Sequence, residues 1–254
     1  MFSIRGIGLW LGRKPLYFAL VLLCLFFMSG CTLHWRFANA KSVNNVNAPR
    51  PTTQHLLAML QKNFKDAKSF HVVMQVGGAG QATASQIQIQ AANGDVVMPD
   101  KIKAQATVLM SGQSMSVNFV SVADNQFITD PITGQWRVIK GVLDPRTLTN
   151  PDTGVISLVS KVQNATQPLS ARVNGVSCWH IQGQLDAKYL AFFTGGGVPA
   201  GTMLQTSACI GKGDSLPYQL VVAGQASGSD TAQTTRTFDM SNYNENIAIS
   251  APQL

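Results

Sequence analysis

Residues 101–119 read KIKAQATVLMSGQSMSVNF, and this stretch decides the fold. Ile102, Ala104, Ala106, Val108 and Met110 alternate with Lys101, Lys103, Gln105 and Thr107. After Ser111-Gly112, Met115, Val117 and Phe119 take one side, with Ser116 and Asn118 on the other. A period of two gathers the apolar residues on one face of an extended chain, whereas a helix would scatter them around its circumference. Two such runs joined by a tight turn form a hairpin, so the sheet is expected to be antiparallel.

The alternation continues on both sides. Phe70, Val72, Met74 and Val76 alternate with His71 and Gln75; Ile87, Ile89 and Ala91 alternate with Gln86, Gln88 and Gln90. Asn93-Gly94-Asp95 reads as a hairpin turn. Strands at 126–129 and 135–139 flank Asp130-Pro131-Ile132-Thr133-Gly134, where proline and glycine both suit a turn. Further strands are expected at 173–182, 203–210, 218–223 and 234–240. Three helices interrupt them. Thr52 or Thr53 caps the first, with Leu56, Leu57, Leu60, Phe64 and Ala67 on one face. Asn150 before Pro151 opens the second, whose stripe is Val155, Leu158, Val159 and Val162. Asp186 caps the third, with Tyr189, Leu190 and Phe193 inward and Gly195-Gly196-Gly197 ending it. No internal repeat or second linker appears, so residues 52–254 are read as one α+β domain.

The leader carries a different signal. Arg13-Lys14 precedes an apolar run from Pro15 to Met28, and Met28-Ser29-Gly30-Cys31 follows. A basic flank, a short apolar core and small residues make a secretory signal. The run, about 14 residues, is short against the roughly 20 that span a bilayer. Small residues ending on a cysteine resemble the lipobox of bacterial lipoproteins, although Met28 stands where leucine is commoner. That resemblance implies that residues 1–30 are a signal peptide and that Cys31 carries the acyl anchor. Cys24 leaves with the signal. Residues 31–51 lack any hydrophobic period and read as the lipidated cysteine and a flexible tether. The expected location is the cell membrane, lipid-anchored, on its extracytoplasmic face.

Composition narrows the function. Hydrophobic residues at 45% and charged ones at 12% exclude a disordered chain. Glu245 is the only glutamate. Arg5, Arg13 and Lys14 leave with the leader and no acid does, so the formal net charge falls from +7 to +4. That mild basicity suits anionic lipid head groups, and no basic stripe with aromatics points to nucleic acid. The four histidines (His34, His55, His71, His180) fall singly, without zinc spacing, so no metal or cofactor is expected. Asp95, Asp124, Asp130, Asp186 and Asp214 sit at expected turns or caps, and no GxSxG elbow precedes a helix, so no catalytic residue is expected. Gly77-Gly78-Ala79-Gly80 and Gly211-Lys212-Gly213-Asp214 complete no phosphate-loop motif and fall where hairpins turn.

Cys178 and Cys209 remain after Cys31 is lipidated. Outside the cytoplasm such a pair meets an oxidising environment. Both are expected on the polar faces of adjacent strands, joined in a disulfide; two buried free thiols are the alternative.

Three stretches, ANGDVVMPDK (92–101), DPITGQW (130–136) and VNGVSCWHIQG (173–183), resemble the LppX/LprG-type lipoproteins of mycobacteria and their relatives. The resemblance runs from about Thr53 to Pro252. It implies a fold similar to the LolA and LolB lipoprotein carriers: a single strongly curved antiparallel sheet, a half-barrel, with helices on its concave face over a greasy cavity. It implies a carrier of lipid or glycolipid through the envelope; the chain is expected to be a monomer and not an enzyme. Where the family often has tryptophan, this chain reads Ser207-Ala208-Cys209-Ile210.

Met74, Ile89, Ala104, Ala106, Val108, Met110, Met115, Val117 and Phe119 on strands, with Leu158, Val162, Tyr189 and Phe193 on helices, are the expected cavity lining. The same residues would serve equally as solid core. Opening is expected around residues 143–162 and 189–200. A second reading keeps the fold without transport, as an envelope sensor that recognises a lipoprotein or protein partner.

Overall fold

The computed structural model describes residues 49–78, 87–110, 112–140, 157–194 and 197–254, together with Arg146, Asn150 and Gly154. Helix α1 (Thr53–Lys65) opens the domain. Thr52 caps it, its hydroxyl accepting from the His55 amide at 3.2 Å, and Leu56, Leu60 and Phe64 are its buried stripe. Lys62 and Lys65 sit in the last turn, where the helix dipole favours cations.

Strands β1 (Ser69–Gly77), β2 (Ile87–Val97), β3 (Lys101–Met110), β4 (Gln113–Val122), β5 (Asn125–Thr129) and β6 (Trp136–Ile139) form a meander. The short helix α2 (Ser157–Ser160) precedes β7 (Leu169–Val173) and β8 (Val176–Asp186). A 3₁₀ turn (Ala187–Leu190) runs into α3 (Ala191–Thr194), followed by β9 (Met203–Gly211), β10 (Pro217–Ala223) and β11 (Thr235–Ser241). One 11-stranded sheet results, in the order β6-β5-β4-β3-β2-β1-β11-β10-β9-β8-β7, with every pair antiparallel.

This order corrects the expected half-barrel. The sheet is open, with β6 and β7 as its two edges, and it is not strongly curled. Curling a sheet takes bulges repeated along the strands. The described ladders shift register at two places, Ile89/Ala91 and Pro217/Gln219.

Among the described residues α2 stops at Ser160, short of Val162, whereas the 3₁₀ turn and α3 together span the expected stripe of the third helix. At α2, Ser157 Oγ donates to the Gly154 carbonyl and Ser160 Oγ to the Ser157 carbonyl, competing with helical bonding. Asp186 caps as expected, accepting from the Lys188 amide at 3.0 Å. The helix runs to Thr194, whose Oγ1 donates to the carbonyls of Leu190 and Ala226.

Two glycines trade roles relative to the sequence reading. Asn93-Gly94-Asp95 is no turn but the middle of β2. A Cβ on Gly94 would lie 2.6 Å from Ala104 Cβ and from the Lys103 carbonyl oxygen, so glycine serves close strand approach there. The turn sits instead at Asn174-Gly175, where φ is 49° and 80°, and splits the expected strand at 173–182 into β7 and β8.

Cys178 and Cys209 are joined in a disulfide between β8 and β9, their Cα atoms 5.5 Å apart. The cystine is fully buried rather than on an exposed polar face. It closes a sequence separation of 31 residues. Replacing both cysteines with alanine should lower the unfolding free energy by about 3–4 kcal/mol, measured by urea denaturation. A change below about 1 kcal/mol would contradict this estimate.

Candidate functional site

Antiparallel registers decide which side chains share a face. Met74 opposes Ala92, Ala92 opposes Ala106, and Ala106 opposes Val117. Ile89 opposes Val108, which opposes Met115; Gly94 opposes Ala104, which opposes Phe119. Met110 lies two residues beyond Val108 on the same side. The nine strand residues singled out from the sequence therefore lie on one face, the face toward α1. Ala91 does not follow Ile89 onto it. The β2 bulge between Ile89 and Ala91 switches the alternation, and Ala92 takes the inward place.

This face has two parts. Around β8–β11 it is solid core: Ile181, Leu185, Leu204, Ile210, Leu220 and Phe238 pack with Leu56, Leu60 and Phe64 of α1. Met74 and Phe119 are buried in the same core, which Ile89 and Ala104 flank, half-buried. Toward the β3–β4 hairpin the packing changes. Val108 and Val117 are 9% and 7% exposed, yet among the described residues they belong to neither hydrophobic cluster. Ala106, Met110 and Met115 beside them are half-buried and also outside both clusters.

The helical residues fall elsewhere. Leu158 is fully buried in the core and Tyr189 packs against it. Val162 lies past the end of α2 and covers Gly183, where an added Cβ would meet Val162 Cγ1 at 2.4 Å. Phe193 is in α3, its side chain outside the described residues, as is Cys31. Much of the expected opening region, 143–145, 147–149, 151–153, 155–156 and 195–196, is likewise outside them.

One charged residue on this face escaped the sequence reading. Arg236 of β11 opposes Val76 and Val222 and is buried. Its guanidinium meets Asp230 at 2.7 Å, and the Asp230 carboxylate also accepts from the amides of Ala226 and Ser227. The loop from β10 to β11 is thereby pinned. A cation at an inward position of the alternating run Thr235 to Met240 is the signal that could have revealed it.

Of the described groups with displaced pKa values, Asp130, Asp186 and Lys188 lie at turns and caps, while Tyr218 on β10 and Tyr243 beyond β11 pack against the main core; none is on the apolar stripe. Backbone amides of Thr133 and Ile132 hold the Asp130 carboxyl below its usual range, and the Lys188 amide does the same for Asp186. Asp186 in turn raises Lys188. Burial pushes up the phenols of Tyr218, which also bonds Asp214 at 2.6 Å, and of Tyr243. Among the described residues no group of three His, Cys, Asp or Glu side chains could hold a metal, and no helix is long and apolar enough to cross a membrane.

The sequence profile of the LppX_LprAFG lipoprotein family matches residues 52–249. The lipoarabinomannan carrier protein LprG of Mycobacterium leprae is 22% identical over 228 residues, covering 85% of this chain and 90% of that protein. The crystal structure of LprF from Mycobacterium bovis superposes with a TM-score of 0.61 at 17% identity, over 80% of this chain and 99% of that one. For the Mycobacterium tuberculosis lipoprotein LppX the values are 0.55, 20%, 78% and 99%.

Because Arg236 and Asp230 are buried together, Arg236→Met alone should cost about 3–5 kcal/mol by leaving a carboxylate uncompensated. Adding Asp230→Asn should recover much of that loss, since the amide oxygen still accepts from Ala226 and Ser227. Urea denaturation of both variants checks the pair, and a double variant no more stable than the single would refute it.

Proposed function

The chain belongs to the LppX_LprAFG lipoprotein family, and from that premise we propose that it is a lipid carrier of the cell envelope. In this reading acylated Cys31 anchors it to the extracytoplasmic face of the cell membrane. The folded domain takes up the acyl chains of a lipid or glycolipid, works as a monomer and has no catalytic role.

The observation that carries the reading is the apolar stripe of β3–β4 that, among the described residues, stands apart from the packed core. Half-buried Ala106, Met110 and Met115, beside buried Val108 and Val117, offer small and flexible side chains, with methionine able to re-pack around chains of different shape. Binding there is driven by desolvation, at about 0.8 kcal/mol for each methylene removed from water. The relative named as a lipoarabinomannan carrier supports a lipid-bearing ligand of this general class.

Native mass spectrometry of the lipoprotein from its own host's envelope, followed by lipid extraction, should find a stoichiometric acyl lipid. Ala106→Trp and Met115→Lys, one filling the stripe and one charging it, should each lower bound lipid at least about tenfold, a loss of roughly 1.4 kcal/mol. Lipid-free wild-type protein that also takes up no fluorescent acyl probe would sink the carrier reading and favour a non-transporting sensor of the same fold.

The anchor is tested separately. Cys31→Ala should remove the acyl mass and move the protein from the membrane pellet to the aqueous phase of a detergent partition. Retention in the pellet without acylation would contradict the anchor.

A further inference from the structure

The opposite face of the sheet carries a recess of about 220 Å³ that the lipid reading leaves unused. Its floor is β2, β3 and β4, and its wall is built by register. Asn93 opposes Gln105, and Gln105 opposes Asn118, so three carboxamides stand in a row across three strands. Adjacent strands place them about 5 Å apart. In the next row Asp95 opposes Lys103. Trp136, on β6, closes the side. It is held by packing against the cluster of Val120, Phe127 and Ile249, over which the C-terminal segment lies.

Much of the hydrogen-bonding capacity around this recess is free. Among the described residues the side chains of Asn93, Asn118 and Lys103 have no partner. Gln105 donates to Ser116 Oγ at 3.3 Å, which leaves its carbonyl oxygen open. Asp95 gives one oxygen to His71 Nδ1 at 2.7 Å, an arrangement that orients the carboxylate and leaves the other oxygen free.

We propose that this recess binds a neutral sugar ring. Each carboxamide offers donors and an acceptor, the complement of neighbouring hydroxyls that both give and take hydrogen bonds. An indole wall suits the apolar C–H side of such a ring. A single lysine beside a carboxylate provides no net attraction for an anion, and the polar wall rejects an acyl chain. The volume falls below that of drug-sized pockets and matches one ring rather than an oligomer. The sugar could come from a soluble envelope glycan or from the head of a glycolipid.

Saturation-transfer NMR on the full lipoprotein, with a panel of methyl hexosides and pentosides, should detect millimolar binding of at least one glycoside. Trp136→Ala and the double variant Asn93→Ala with Asn118→Ala should weaken it at least about tenfold. The asparagine pair is exposed, so that variant keeps the test valid if the tryptophan variant does not fold. Met115→Lys should leave glycoside binding unchanged, which separates this site from the acyl stripe. Equal affinity for the free glycoside and its lipid-linked form in micelles identifies a soluble glycan as source; a clear preference for the lipid-linked form identifies a glycolipid head. Binding of no neutral glycoside, or of inorganic phosphate or an aromatic heterocycle in its place, overturns the proposal.

Discussion

The ladder between β1 and β11 is the contact on which the rest of the domain depends. His71 to Gly77 pair with Ser241 to Thr235, joining the opposite ends of the folded chain at the middle of the sheet. On one side of this seam β2 to β6 follow by local hairpins, and on the other β10 back to β7. Each half grows by short-range closure, but the seam costs long-range loop entropy before it gains anything. Met74 opposite Phe238 and Val72 opposite Met240 repay that cost by joining the apolar faces of the halves into one core against α1. A slip of one residue here would turn half the apolar set to water.

Period-two patterning made most strands legible, because half-buried antiparallel strands advertise themselves residue by residue. The errors came where backbone geometry overrides composition. Asn93-Gly94-Asp95 has turn chemistry, yet Gly94 is needed inside β2 because Ala104 leaves no room for a Cβ. Asn174-Gly175 has the same chemistry and does turn, and nothing local distinguishes the two. The β2 bulge is equally silent, since positions 91 and 92 are both alanine and either could face inward. Helix α2 stops before Val162, where Ser157 and Ser160 make hydroxyl-to-carbonyl bonds that an apolar stripe does not report. Curvature is further still from the sequence, because it is a sum of small twists and bulges along every strand. The expected half-barrel was for this reason the reading most exposed to error, and the sheet is open.

The face of the candidate site was legible; its filling was not. Alternation puts Met74, Ala106 and Met115 on one side whether they face side chains, a lipid or another strand. Met74 proves to be core, while Ala106 and Met115 stand outside both clusters. That distinction depends on where α1 and the β8–β11 residues reach, a tertiary fact. The cystine was readable as a pairing because only two cysteines follow Cys31, but its complete burial depends on neighbours from several strands. The ion pair of Arg236 with Asp230 shows the reverse case. Its cation breaks the apolar pattern visibly, while its partner lies in a loop that no periodicity reaches.

One register organises both faces of β2, β3 and β4. The ladder that lines up Ala92, Ala106 and Val117 inward also lines up Asn93, Gln105 and Asn118 outward. Past the bulge, Ala92, Gly94 and Val96 face inward, with Gly94 giving the room that Ala104 and Lys103 demand, and Asn93 and Asp95 take the outward places between them. A substitution that shifts this register would therefore disturb the apolar stripe and the carboxamide row together, whereas a side-chain change that keeps the backbone disturbs one alone. The bulge at Ile89/Ala91 is the element that sets both, since it fixes which parity of β2 faces the core beyond that point.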